Sequence, residues 1–186
     1  VTAFERPGLD EVRAFYDTGA NTGLIVPVPA AESVVGPLRF ETDPSAAFGV
    51  GAHVTVLFPF VPRETLDREV EDAVARIAAD HEPFDVTFGE IGRFPDVVWV
   101  APDPAAPFRA LTRSVSQRWP EHPPYRGEFD EPIPHLTVGH GDEGDLDRLA
   151  GAVGPGLPIQ SRVDVIELLV FDGEWWRLRR RFPLGT

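Results

Sequence analysis

The sequence predicts an α+β fold in which two pseudo-symmetric lobes share one cleft. Three observations carry this expectation. Apolar periodicity switches repeatedly between the strand and the helix repeat, without the regular strand–helix alternation of a parallel sheet. No Gly/Ser-rich linker divides the chain. A short motif, His-apolar-Thr-Val, occurs at His53-Val54-Thr55-Val56 and again at His135-Leu136-Thr137-Val138. With 186 residues, 42% hydrophobic and 25% charged, the chain has the size of one globular domain, and we read 1–186 as a single bilobal unit.

The elements follow in order. Leu9 to Tyr16 has apolar residues at 9, 12, 15 and 16, a short amphipathic helix closed by Gly19 and Asn21. Leu24 to Val28 reads as a buried strand, and Ala30 to Leu38 as a short helix stopped by Gly36 and Pro37. Ala52 to Phe58 alternates, with Val54, Val56 and Phe58 on one face and His53, Thr55 and Leu57 on the other. Glu64 to Asp80 is a helix burying Leu66, Val70, Val74 and Ile77. Phe84 to Ile91 and Val97 to Ala101 are strands joined across Gly92 to Asp96, and Phe108 to Trp119 is a second core-facing helix. Glu121 to Pro134, rich in Pro and acid, is an extended loop. His135 to Gly139 is a strand and Leu146 to Val153 a helix; Val163 to Phe171 and Trp175 to Leu184 form a hairpin. Leu-Asp-Arg follows each motif, at 66–68 and 146–148, and reads as the opening of a helix in both copies of a repeated unit.

Composition removes several chemistries. There is no Cys, so no thiol nucleophile, disulfide or thiolate metal site. All 17 basic residues are Arg, which excludes Schiff-base, Walker-type phosphate-loop and lysyl-adenylate chemistry. His, carboxylates, hydroxyls and Arg remain. A net charge of −13 repels long polyanions, so an extended duplex grip is not expected. No apolar run approaches the roughly 20 residues of a membrane span, and the stretch around Glu5, Arg6 and Pro7 lacks an export signal, so the expected location is the cytoplasm.

In a strand, residues i and i+2 share a face, so each motif aims an imidazole and a hydroxyl from one side while its apolar partners hold the other side to a core. Five His and ten Thr in this length yield His-x-Thr by chance about 0.3 times, so two copies in matching contexts are informative. Two His and two Thr around one volume suit phosphoryl transfer: one imidazole takes a proton, the other gives one, and the hydroxyls bind non-bridging oxygens.

The pair His53-x-Thr55 and His135-x-Thr137 resembles the signature of the two-histidine (2H) phosphoesterase superfamily. The surrounding segments, Leu24 to Pro29, Gly51 to Phe58, Gly89 to Trp99 and Pro134 to Gly139, are similar to its bacterial 2'-5' RNA ligase-like branch. The resemblance implies an antiparallel sheet in each lobe, an intervening cleft, and no metal or other cofactor. It also implies hydrolysis of 2',3'-cyclic phosphates to 2'-phosphates, or handling of 2'-5' linkages. It makes His53 and His135 the acid/base pair and Thr55 and Thr137 the phosphate ligands. Our working assignment gives His135 the base role toward water and His53 the acid role, an assignment that pseudo-symmetry leaves open and the ligation direction would swap.

Tyr125 and Arg126, in the loop before His135, are further substrate-binding candidates, by stacking on a base and pairing with phosphate. Phe58 reads as core. Arg177, Arg179 and Arg181 form a basic stripe that either receives a backbone or pairs with acids, and pairing is favoured. His81 and His122 read as surface residues, and the i, i+5 spacing of His135 and His140 suits no metal pair. The expected partner is a nucleotide or RNA end bearing a cyclic phosphate or a 2'-5' linkage, with no membrane and a monomeric chain. Two alternatives stand beside this: a non-catalytic nucleotide or RNA-end binding module on the same fold, and a metal-dependent hydrolase using both histidines.

Overall fold

The computed structural model describes residues 7–128 and 132–185; Glu5 and Arg6, part of the stretch read for an export signal, and positions 129–131 of the Pro-rich loop lie outside it. Along the chain run α1 (Leu9–Asp17), β1 (Thr22–Pro27), α2 (Glu32–Thr42), α3 (Pro44–Ala47) and β2 (His53–Leu57). Next come α4 (Arg68–Ala79), β3 (Phe84–Phe94), β4 (Val97–Asp103), α5 (Ala106–Arg118), β5 (Leu136–His140) and α6 (Glu143–Val153). The chain closes with β6 (Ile159–Val163), β7 (Val165–Phe171) and β8 (Trp176–Pro183). The strands form one antiparallel sheet in the order β6-β3-β4-β5-β2-β1-β7-β8. The class is α+β, and among the described residues no helix is long and apolar enough to cross a membrane.

The sheet has two four-stranded halves, β6-β3-β4-β5 and β2-β1-β7-β8, which meet where Val54 of β2 faces Leu136 of β5. The repeated motif therefore occupies the two central strands. Each half contributes the unit strand, helix, motif strand: β1-α2-β2 in one and β4-α5-β5 in the other. The connecting helices are exchanged, since α2 packs on β5 and α5 on β2. Val54, Val56, Leu136 and Val138 are almost completely buried in the main core between sheet and helices. Burial of each stabilises by about 1.5–3 kcal/mol, which holds the motif strands rigidly from below. On the opposite sheet face α1 covers a second, aromatic core built on Tyr16, Phe48, Phe171 and Trp176.

The helix expected to stop at Pro37 continues to Thr42. Pro37 removes one intrahelical hydrogen bond, but Gly36 before it lacks the Cβ that would clash with the proline ring. The continued turn is anchored by Arg39, buried against Asp43, and by the Thr42 hydroxyl donating to the Leu38 carbonyl at 2.7 Å. The repeat of Leu-Asp-Arg is not structural. Asp67 caps α4, accepting from the Val70 amide at 3.0 Å, whereas α6 opens earlier, capped by Asp142 on the Asp145 amide at 3.0 Å, and Leu146 to Arg148 lie inside it. Strand β6 goes beyond the sequence expectation: an edge position buries only Ile159 and Val163, so its sequence carries little apolar signal. The Arg stripe of β8 pairs with acids, the favoured alternative: Arg177 with Asp172, Arg179 with Glu71, and Arg181 with Glu167.

Candidate active site

Antiparallel pairing with Val54 opposite Leu136 sets His53 across from Thr137 and Thr55 across from His135. The two imidazoles occupy one diagonal of this square and the two hydroxyls the other. Diagonal side chains on neighbouring strands start about 7–8 Å apart. That leaves room for a phosphate between the rings.

Both imidazoles are oriented in the same way. His53 Nδ1 bonds the Gly51 carbonyl at 2.8 Å, and His135 Nδ1 bonds the Ile133 carbonyl at 2.7 Å. A carbonyl only accepts, so Nδ1 carries the hydrogen in each ring, and Nε2 is left with its lone pair for the cleft. Burial, then the Arg39 guanidinium, holds His53 down to about 4; Asp43 opposes them. His135 is also lowered, chiefly by burial and with a contribution from His140. The resting site thus favours two neutral imidazoles, and an anion between them favours charging one.

Arg39 and Asp43 form a buried ion pair at 2.9 Å. Both carboxylate oxygens of Asp43 are engaged, one by Arg39 and the other by the Ser45 amide and hydroxyl at 2.9 and 2.8 Å. This pair carries opposite charges into the neighbourhood of His53 while the arginine also donates to the Val50 carbonyl at 3.1 Å.

The four motif residues line a cleft of about 350 Å³ with Phe15, Tyr16, Phe58, Tyr125, Asp43, His140 and Trp176. A second, apolar cavity of about 490 Å³ adjoins it through Tyr125, His135, Thr137 and His140, and is walled by Phe94, Val97 and Ile133. His135 sits between the two cavities, its ring edge-on to Phe94 at 5.2 Å between centroids.

Two of these residues correct the sequence expectation. Phe58 lines the cleft, and the face opposite His53 takes Leu57, which is fully buried. The cause is a bulge: one step from Leu24 to Ile25 on β1 is matched by two steps from Leu57 to Thr55 on β2. The second motif strand repeats it, one step from Val98 to Trp99 on β4 being matched by two from Gly139 to Thr137 on β5. The extra residue follows the motif Thr in both copies. Alternation then resumes out of phase, returning Phe58 and His140 to the side of the histidines. The i, i+5 spacing of His135 and His140, which regular alternation puts on opposite faces, becomes a same-face spacing once one bulge intervenes.

Of the other candidates, Tyr125 reaches the cleft, which it lines together with Thr55. Arg126 is exposed, its guanidinium 4.9 Å from the ring centroid of Phe15 at the rim. His81 is partly buried and bonds the Ser114 hydroxyl at 3.0 Å, away from the site. Among the described residues no cluster of three or more His, Asp or Glu is placed to hold a metal ion. Sequence reasoning misses Asp43 and Arg39; their signal is local, an Asp-Pro-Ser helix cap four residues beyond an arginine, and it does not point to a cleft.

Comparison with known proteins agrees with this geometry. A protein of Oceanobacillus iheyensis named "Putative phosphoesterase" is 26% identical over 170 residues, covering 87% of this chain and 95% of its own. The crystal structure of Escherichia coli LigT complexed with 3'-AMP superposes with a TM-score of 0.59 at 17% identity, covering 90% of this chain and 99% of that one. The TT0787 protein of Thermus thermophilus gives a TM-score of 0.56 at 18% identity, over 89% and 98% of the two chains. These likenesses establish the shared fold. The model of the 2'-5' RNA ligase superfamily matches residues 26–175, a span that includes both motifs and the strands that pair them. The chain with its two His-x-Thr strands side by side belongs to the 2'-5' RNA ligase superfamily, the two-histidine phosphoesterases.

Proposed function

We propose that this protein hydrolyses the 2',3'-cyclic phosphate of a nucleotide or RNA end to a 2'-phosphate, by acid/base catalysis with His53 and His135 and without a metal. The observation that carries the reading is the diagonal of two Nε2 atoms, each made available by the same Nδ1 bond to a carbonyl, across a pocket closed on its other diagonal by two hydroxyls. In this direction His135 takes a proton from water as the water oxygen bonds phosphorus. The bond from phosphorus to O3' breaks in line, and His53 gives its proton to the departing O3'. Thr55 and Thr137 donate to the non-bridging oxygens, where charge grows in the transition state. With a 5'-hydroxyl in place of water the same steps make a 2'-5' linkage and leave the two roles unchanged, contrary to the swap expected from the sequence; the reverse, in which the 3'-hydroxyl attacks a 2'-5' linkage and the 5'-oxygen departs, exchanges them.

Nucleotide recognition is supported by the relatives: structures of E. coli LigT are complexed with 3'-AMP, ATP and NADP+. The aromatic wall of Phe15, Phe58 and Trp176 offers this chain a surface for a base. The Arg side chains of β8 are committed to acids, which fits a short substrate better than a long polyanion.

The test is hydrolysis of 2',3'-cyclic mononucleotides in excess EDTA, with the product isomer resolved. Turnover to the 2'-phosphate at an undiminished rate is expected. Loss of the rate in EDTA would transfer the chemistry to a metal, and binding without turnover would make the pocket a binding module.

A further inference from the structure

The loop before β5 makes a costly local choice. Tyr125 and Arg126 both adopt left-handed backbone, with φ, ψ of 50°, 36° and 57°, 22°. Side chains with a Cβ avoid this region, and two bulky ones in succession are held there only where the surroundings require it. The surroundings are visible: the Tyr125 amide donates to the Phe58 carbonyl at 2.8 Å, and the Arg126 guanidinium lies over the Phe15 ring. The result is a phenol at the junction of both cavities, on the wall of the cleft that Thr55 also lines.

A hydroxyl has one hydrogen and rotates freely, so a lone threonine aims its donor at the phosphate only part of the time. A phenol donating to the same oxygen would change that. We propose that Tyr125 is a positioning residue that donates to Thr55 Oγ1 and thereby directs the Thr55 hydrogen at a non-bridging phosphate oxygen. This rests on the phosphoesterase reading of the site and adds to it a relay of two hydroxyls on one side of the phosphate. Burial raises the Tyr125 phenol above its ordinary value, so it stays a donor throughout the range in which the histidines titrate. The chain Tyr125 to Thr55 to phosphate also gains by polarisation, since each bond strengthens the next.

The experiment is a double-mutant cycle of Tyr125→Phe and Thr55→Val, with Thr55→Ala as a second truncation, read by kcat and KM on a 2',3'-cyclic nucleotide and by calorimetric binding of inorganic phosphate. Phenylalanine keeps the ring, its packing and any stacking, and removes only the oxygen. In the wild-type background Tyr125→Phe is expected to lower kcat about five- to tenfold with KM nearly unchanged, and to weaken phosphate binding about threefold. In either Thr55 variant the same change is expected to alter both readings less than about twofold. A silent Tyr125→Phe, or an equal effect with and without the Thr55 hydroxyl, overturns the relay. Phosphate coupling without turnover by the wild type sinks the phosphoesterase reading and leaves the relay standing. Turnover without coupling does the reverse, and a wild type that neither binds phosphate nor hydrolyses the substrate removes both.

Discussion

The position of His53 makes a prediction about stability that needs no substrate. In the folded protein its imidazole is held to about 4 by burial and by Arg39, against the ordinary value of 6.5 in an unfolded chain. Between these values the unfolded chain binds a proton there and the folded protein does not, so stability falls as pH drops from about 6.5 toward 4. The gap of about 2.5 pH units corresponds to about 3 kcal/mol, and solvent reaching the half-buried ring reduces this to about 2 kcal/mol. Urea unfolding of the wild type and of His53→Gln, at pH 7.5 and at pH 4.5, isolates the effect. Glutamine does not titrate, so any constant cost of losing the ring cancels between the two pH values. Groups remote from residue 53 contribute equally to both proteins. The wild type is expected to lose about 2 kcal/mol more than the variant between the two conditions. Equal losses would refute the claim that the folded site excludes a proton from His53.

The remaining predictions concern packing, charge and rate. Asp43→Asn leaves Arg39 buried without its counter-charge and is expected to cost about 3–5 kcal/mol, read as a lowered urea midpoint at unchanged slope. A Cβ on Gly139 would collide with the Thr42 hydroxyl and crowd Leu149, so Gly139→Ala is expected to destabilise by about 1–3 kcal/mol, and added Thr42→Ala to recover part of it. The bulge in β2 is tested by neighbours: Leu57→Ala should cost about 2–5 kcal/mol with KM unchanged, while Phe58→Ala should chiefly raise KM for a nucleotide. Two lowered imidazoles of which one must be charged place the optimum of kcat/KM below about pH 6.5. The bound phosphate anion raises both, so the kcat optimum should lie higher; coincident or flat profiles would contradict the pair.

The site was more legible in the sequence than the frame that assembles it. His53 with Thr55 and His135 with Thr137 can be read as facing one way because strand alternation has a period of two, and Val54, Val56, Leu136 and Val138 mark the buried side. Which strands become neighbours is set by tertiary packing, and nothing local in β2 or β5 announces that they pair. The bulges are equally silent. They reverse the facing of every residue beyond them, which is why alternation alone puts Phe58 in the core and leaves His140 out of the cleft. Asp43 reads locally as a helix cap, and its charge acts on His53 only because α2 runs on past Pro37. The Tyr125 ring reaches the cleft through two left-handed residues that no propensity favours.

The central claim is that His53 and His135 act as a proton donor and a proton acceptor on one phosphate, and leaving-group chemistry tests it most directly. In a 2',3'-cyclic substrate with sulfur in place of the 3'-oxygen, the bond from phosphorus to sulfur breaks to release a 3'-thiolate, which needs no proton. On the ordinary substrate, His53→Ala and His135→Ala should each lose at least about a hundredfold in rate. On the sulfur substrate, in EDTA, the variant lacking the acid should recover most of its rate and the variant lacking the base should not, with His53→Ala the one rescued in the proposed direction. Equal rescue of both variants, or of neither, would contradict a division of acid and base between the two histidines.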